Sequence, residues 1–335
     1  MIKSIGVVGA GAWGTALAAT ARRAGREAVL WAREEEVVAS DNQSGRNKLF
    51  LPEIQLEGVR ATSDLAEMAG QDALLLVVPS QFLANVCRGL RPHIASGTPV
   101  VLCAKGVELT TGRLMSELVA EELPGVPLAV LSGPTFAIEV GRGLPTAITL
   151  AAADPALANE LAAALGGPMF RPYVTDDVIG AEMGGAVKNV LAIACGVVEG
   201  RGLGQNARAA LITRGLAEMV RLATAKGARS ATCMGLSGLG DLMLTASSTQ
   251  SRNYSLGVAL GQGRALADIL AERRSVAEGV DSAKSVTALA GKLGIDMPIC
   301  RAVAGLVEGS ATIDETISGL LSRPFNAELG YDQRS

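Results

Sequence analysis

Histidine is almost missing from this chain: among 335 residues there is one, His93. It follows Pro92 in a stretch that reads as a surface connection, so a Ser-His-Asp hydrolase would have to recruit a badly placed imidazole. Proton transfer anywhere else has to use Lys, Asp, Glu, Tyr or Cys. The five cysteines, Cys87, Cys103, Cys195, Cys233 and Cys300, are odd in number and show no C-x-x-C spacing. Such a set reads as reduced thiols and speaks against a zinc site or any other metal centre. Aromatic residues make up 3% of the chain, no basic run accompanies them, and the net charge is -3, so nucleic acid is not an expected partner. No uninterrupted apolar run approaches the roughly 18 residues of a membrane span. Lys3 leads straight into a strand-like IGVVGAG, unlike a cleavable signal peptide, and the expected compartment is the cytoplasm.

What remains is a 49% hydrophobic chain long enough for two domains. Ile2 to Val8 is a short β-branched run, followed by Gly9-Ala10-Gly11-Ala12-Trp13-Gly14 and an Ala-rich helical pattern over Thr15 to Ala24. This is G-x-G-x-x-G between a strand and a helix, the setting in which it binds a dinucleotide. Gly9 permits the tight turn, Gly11 lets the backbone approach a pyrophosphate, and Gly14 allows close packing, while the helix N-terminus offers N–H donors. The second strand, Glu27 to Trp31, ends at Ala32-Arg33. An Arg there suits a 2′-phosphate and tilts the expectation toward NADP; alternatively Arg33 is solvated and Glu34 reaches the ribose of NAD.

Further apolar runs at Gly58–Ala61, Asp72–Val78, Thr98–Ala104, Leu128–Leu131, Thr146–Ala152 and Pro168–Tyr173 alternate with helical patterns such as Ser63–Ala69. The alternation predicts an α/β fold, a parallel sheet with helices on both faces, over residues 1–177. Lys105 and the Gly133-Pro134-Thr135 turn fall just after strands, where open α/β sheets bind ligands. Lys105 is a candidate contact for an anionic or carbonyl substrate, or a plain loop lysine. The Gly-Pro-Thr turn offers donors to a ligand, or only caps a helix.

From Val178 to about residue 330 strand patterns vanish, and an all-helical second domain is expected. Gly180 to Glu199 is a small-residue helix with Lys188 and Asn189 set into it. A buried lysine there would lose hydration, lower its pKa and carry a proton near neutrality; a snorkelling lysine is the bland alternative. Asn206 to Lys226 carries an apparent N-cap and an Arg214–Glu218 pair at i, i+4; Asp281–Leu293, Pro298–Glu308 and Ile313–Leu321 are further amphipathic helices. Between them lies Gly235-Leu236-Ser237-Gly238-Leu239-Gly240-Asp241, too rich in Gly to be rigid helix throughout, so Asp241 is expected at a turn or helix start. Ser251-Arg252-Asn253 gathers a hydroxyl, a guanidinium and an amide, a good chelate for phosphate, although Arg252 alone would read as a surface charge.

The segments GAGAWGTALA (9–18), AKG (104–106), GPTFAIEV (133–140), KNVLAIACG (188–196), ITRGLAEM (212–219), GLSGLGDLMLT (235–245), SRN (251–253) and EGV (278–280) follow one another at spacings that resemble the bacterial NAD(P)-dependent glycerol-3-phosphate dehydrogenases nearly end to end. The resemblance implies reversible hydride transfer between NAD(P)H and dihydroxyacetone phosphate, giving sn-glycerol 3-phosphate for phospholipid synthesis. It implies Lys188 as proton acceptor, Lys105 contacting substrate and cofactor, and Asp241 balancing both lysines. It further implies substrate contacts at Gly133, Thr135, Ser251, Arg252 and Asn253, with Asn189 and Thr245 beside them. Cofactor contacts would fall at Ala12, Trp13, Arg33, Ala137, Arg252, Val276 and Glu278. A homodimer is compatible with it. A β-hydroxyacid dehydrogenase relative has no use for the phosphate chelate, and a non-catalytic dinucleotide sensor has none for Lys188, Lys105 and Asp241 together.

Overall fold

The computed structural model describes residues 1–272 and 278–324. Eight strands form one sheet: β1 (Ser4–Val8), β2 (Glu27–Trp31), β3 (Val59–Thr62), β4 (Ala73–Leu76), β5 (Val100–Leu102), β6 (Leu128–Ser132), β7 (Thr146–Ala152) and β8 (Phe170–Thr175). Between them run α1 (Ala12–Arg23), α2 (Glu35–Ser44), α3 (Ser80–Leu90), α4 (Met115–Glu122), α5 (Ala137–Gly141) and α6 (Pro155–Leu165). After them come α7 (Val178–Gly200), α8 (Gly204–Ala225), α9 (Ser230–Cys233), α10 (Asp241–Thr245), α11 (Arg252–Gly261), α12 (Leu266–Ala271), α13 (Glu278–Lys292), α14 (Pro298–Glu308) and α15 (Ile313–Leu321).

The strand order is β3-β2-β1-β4-β5-β6-β7-β8. The all-parallel expectation needs one amendment: β6 and β7 pair antiparallel, with Ser132 opposite Thr149, and β8 then runs parallel to β7. The last two strands therefore run against the first six. The chain leaves β8 away from the ligand edge, and α7 passes back along the sheet. Ala181 lies in the sheet-side core, and Gly185 faces Lys105, just past β5, and Ser132, at the end of β6. Ser63–Ala69 is a 3-10 turn over Leu65–Gly70 rather than a longer helix, with the Asp64 carboxylate accepting from the Ala66 N–H.

Two apolar clusters cover the faces of the sheet, and a third is built around α7 in the helical half. α7 has a mean hydropathy of 1.4 and the length of a membrane span, yet 89% of that stretch is buried inside the protein. Its apolar surface is spent on α8, α10, α11, α13 and α14. Against α11 the contact is close enough to require glycine: a Cβ on Gly196 would sit 2.1 Å from the Tyr254 carbonyl oxygen, and one on Gly257 2.1 Å from that of Ile193. That pairing of bare backbones fixes where α11 begins, and so where Ser251, Arg252 and Asn253 stand. The expected N-cap at Asn206 is not used, because α8 starts earlier, at Gly204, without a side-chain cap. Glu218 accepts from the Ile299 and Cys300 N–H groups at the start of α14, a stronger demand on a buried carboxylate than a surface partner on its own helix.

Candidate active site

The glycine turn between β1 and α1 has the shape the spacing predicts. Gly9 adopts φ 118, where a Cβ would also meet the Val77 backbone at 2.9 Å, and a Cβ on Gly14 would lie 1.8 Å from the Gly9 carbonyl oxygen. Gly11 faces open space, with nothing within 4 Å of an added Cβ. The first turn of α1 contains no acidic residue and no side-chain cap. Its N–H groups at Ala12, Trp13 and Gly14 have no acceptor within the helix. A bare, positively polarised helix end next to an uncrowded glycine fits a dinucleotide pyrophosphate. Trp13 and Ala137 are half-buried and pack against the sheet core. Arg33, just past β2, is 72% exposed, pairs with Glu34 at 2.9 Å and lies 6.0 Å from the centroid of Phe82 on α3.

Beyond the carboxyl ends of β5 and β6, three elements distant in sequence supply one polar cluster. Lys188 on α7 is 7% exposed, which rules out snorkelling. Its Nζ donates to Asp241 Oδ1 at 2.6 Å and to Thr245 Oγ1 at 2.8 Å. Lys105 Nζ donates to the other carboxylate oxygen, Oδ2, at 2.6 Å. Asp241 is fully buried. It starts α10 immediately after a π-turn over Leu236–Gly240, so the Gly-rich stretch is helical after all, in the wide form that glycines allow. The first glycine of that turn's close contact is on α7: a Cβ on Gly184 would meet the Ser237 carbonyl oxygen at 2.3 Å, and one on Gly185 the Lys105 stem at 3.1 Å. These two glycines clear space for protein neighbours of Lys188.

The electrostatics follow from burial and partners. Desolvation pulls Lys188 down to about 8, with Lys105 adding to the fall and Asp241 opposing it. The drop from an ordinary lysine corresponds to roughly 3 kcal/mol against the ammonium form. Burial alone would raise Asp241, but the two lysines outweigh it and hold the carboxyl below its usual value.

The remaining expected residues gather around this cluster. Gly133 follows β6 where a Cβ would press on Ile148 at 3.1 Å, and Thr135 Oγ1 donates to the Gly133 carbonyl at 3.3 Å. Ser251 caps α11 by accepting from Tyr254 N, Arg252 is exposed on the first turn, and Asn253 is buried. Asn253 Oδ1 accepts from Gly279 N at 3.0 Å; Gly279 in turn packs on the Asn189 backbone, beside Lys188. Glu278 is half-buried at the start of α13. Val276 lies outside the described residues. The five cysteines are free and buried, and His93 is exposed.

Several residues of this region escaped sequence reasoning. Ser132 and Ser237 flank the cluster with buried hydroxyls that have no hydrogen-bond partner among the described residues. Glu182, two turns before Lys188 on α7, is 4% exposed and holds Ser116 of α4. In the sequence Glu182 stands out only as a carboxylate inside a small apolar helix.

Two family models match the chain, the N-terminus of NAD-dependent glycerol-3-phosphate dehydrogenase over residues 4–158 and its C-terminus over 177–318. Glycerol-3-phosphate dehydrogenase [NAD(P)+] of Parvibaculum lavamentivorans is 59% identical across 97% of this chain and 98% of its own. That of Rhodospirillum rubrum is also 59% identical, across 100% of this chain and 96% of its own. The crystal structure of glycerol-3-phosphate dehydrogenase from Coxiella burnetii superposes with a TM-score of 0.92 at 40% identity, covering 96% of this chain and 99% of that one. With the glycine turn, the two-lysine cluster and these likenesses together, the chain belongs to the NAD-dependent glycerol-3-phosphate dehydrogenase family.

Proposed function

We infer that the protein catalyses reversible reduction of dihydroxyacetone phosphate to sn-glycerol 3-phosphate, the backbone precursor of phospholipids, with NADPH or NADH. The observation that carries this reading is the meeting of Lys188 and Lys105 on the buried Asp241 carboxylate, at the ligand edge of a dinucleotide-binding sheet. When bound, the nicotinamide supplies a hydride to the C2 carbonyl carbon or takes one back. The chain's own work is to move the accompanying proton. Two of the three Lys188 N–H donors are taken by Asp241 and Thr245, and the third is left for the C2 oxygen. In reduction the ammonium donates its proton to the developing alkoxide; in oxidation the neutral amine accepts it. Asp241 orients both lysines and keeps the pair of like charges from repelling the site open.

Lys105 is assigned to substrate and cofactor together. Gly133, Thr135, Ser251, Arg252 and Asn253 hold the phosphate end, with Asn189 and Thr245 as neighbours. The start of α11 supports this, because its first turn carries the Arg252 guanidinium and the Asn253 amide beside the helix N-terminal N–H groups. Gly9, Gly11, Ala12, Trp13, Gly14, Ala137, Arg252, Val276 and Glu278 are assigned to the cofactor. Arg33 is assigned to the 2′-phosphate of NADP, which makes NADPH the favoured donor. The cofactor domain is taken to end at Asp177 and the helical substrate domain to follow, in a cytoplasmic enzyme that pairs as a homodimer.

Oxidation of NADPH by dihydroxyacetone phosphate, followed at the nicotinamide absorbance band, tests the reading. Turnover of a 3-oxo acid without turnover of dihydroxyacetone phosphate would replace it with a β-hydroxyacid dehydrogenase. In the same assay Arg33→Ala should lower kcat/KM for NADPH relative to NADH; an unchanged ratio removes the 2′-phosphate contact.

A further inference from the structure

The segment that follows Lys105 crosses from one core to another. β5 lies in the core of the sheet, whereas Val107 and Leu114 belong to the apolar cluster around α7 and pair with each other in an isolated antiparallel bridge. At the far end of this loop α4 begins, and there Glu182 takes hold. Its carboxylate accepts from the Ser116 N–H at 2.9 Å and from the Ser116 hydroxyl. Glu182 is on α7, the same rigid helix that carries Lys188. Around it, Lys226, just past α8, pairs with Glu117 at 2.7 Å, and Lys292 of α13 donates to the Thr111 carbonyl at 2.9 Å. These last two contacts are exposed, so solvent weakens them. The Glu182 contact is the buried one.

We propose that Glu182 is a positioning residue: by clasping Ser116 at the start of α4 it sets the Lys105 segment against α7, so that the Lys105 and Lys188 ammonium groups reach one carboxylate together. A carboxylate is costly to bury, and burial pushes Glu182 up to about 7, with the two Ser116 bonds pulling the other way. A mere filler of that space would be apolar. Two donors from the first turn of α4 give the charge its partners, and the helix N-terminus is the end that favours it. Loss of the clasp frees one end of the loop that bears Lys105. Lys105 then withdraws from Asp241, and a misplacement of about 1 Å in a reacting constellation can cost on the order of 100-fold.

The inference rests on the dehydrogenase reading above. No turnover by the unaltered protein would count against that reading, and an unaltered rate in a variant of an active enzyme counts against this one. In dihydroxyacetone phosphate reduction, Glu182→Ala should lower kcat about 10- to 100-fold, while Glu182→Gln, which still accepts the Ser116 N–H, restores most of it. Glu218→Ala is the control, since Glu218 takes two N–H groups at the start of α14 in the same way but away from Lys105. It should lower the melting temperature and leave kcat within about twofold. A second measurement separates positioning from loss of fold. When Lys105 moves off, Lys188 loses a repelling neighbour and gains a larger share of Asp241, so the pH at which oxidation of glycerol 3-phosphate becomes half-maximal rises in Glu182→Ala and stays in place in Glu218→Ala. Should Glu182→Ala not fold, Ser116→Ala removes the hydroxyl arm alone and should shift the limb in the same direction. A folded Glu182 or Ser116 variant with wild-type kcat and an unmoved limb would overturn the proposal.

Discussion

Two aspartates are buried among the described residues, one in each half, and they differ in what surrounds them. Asp241 is 0% exposed and Asp41, on α2, is 3% exposed. Asp241 receives Lys105, Lys188 and Thr245, and its carboxyl is held below the usual value. Neither oxygen of Asp41 has a partner among the described residues, and burial lifts it to about 6. Burial alone therefore does not make a site. At Asp241 the cost of burying three charges is offset by short bonds between them, and the product is a lysine with a proton to give near neutral pH. At Asp41 the cost is offset by nothing visible, and the product is a weak point.

Removing Lys188, the proposed proton carrier, gives the largest effect on this contrast. Lys188→Ala should lower kcat for dihydroxyacetone phosphate reduction by about 100- to 10,000-fold, the usual worth of a positioned acid or base. The glycine turn assigned to the cofactor is contributed by other elements, so NADPH affinity measured by fluorescence titration should change less than about threefold. Retained turnover in the variant would mean that the buried ammonium carries no proton in the reaction.

The next effect is one of pH. Because Lys188 is drawn down to about 8, the neutral amine dominates above that pH and the ammonium below it. Oxidation of glycerol 3-phosphate needs the amine, so its kcat/KM should climb through about pH 8 and then level off. Reduction needs the ammonium, and its kcat/KM should fall over the same interval. Opposite limbs in the two directions identify one group; limbs of the same sign would point to a different titrating residue.

The half of the molecule that binds cofactor was legible because its signals are local. Gly9, Gly11 and Gly14 lie within six residues of one another; Gly9 and Gly14 are explained by the backbone they touch, and Gly11 by the open space in front of it. The cluster at Asp241 is joined across 53 residues to Lys188 and across 136 to Lys105. No spacing rule relates such positions, and only the family resemblance brought them together. Partners recruited across the fold were the least legible. Asn206 and Glu218 were assigned local duties on α8, but the helix started earlier and Glu218 turned to α14, since a tertiary N–H left unpaired in the core costs more than a lost local contact. The reversal of β7 and β8 was equally hidden, because an apolar strand pattern carries no direction.

Asp41 supplies the smallest effect and the sharpest contrast with Asp241. Its folded-state pKa lies above that of the unfolded chain, so between the two values the folded protein binds the extra proton. Its contribution is then most favourable at acid pH and is lost as pH rises through about 6. Asp41→Asn keeps the shape of the side chain and removes the ionisation. Measured against the unaltered protein at each pH, the variant should gain about 1 kcal/mol more at pH 8 than at pH 5, roughly 2 °C in melting temperature for a chain of this size. All other titrating groups, Glu182 included, are common to both proteins and cancel in that difference. An offset equal at the two pH values would mean that Asp41 ionises without penalty and has found a partner; the corresponding change at Asp241 would instead leave Lys105 and Lys188 facing each other across a neutral side chain.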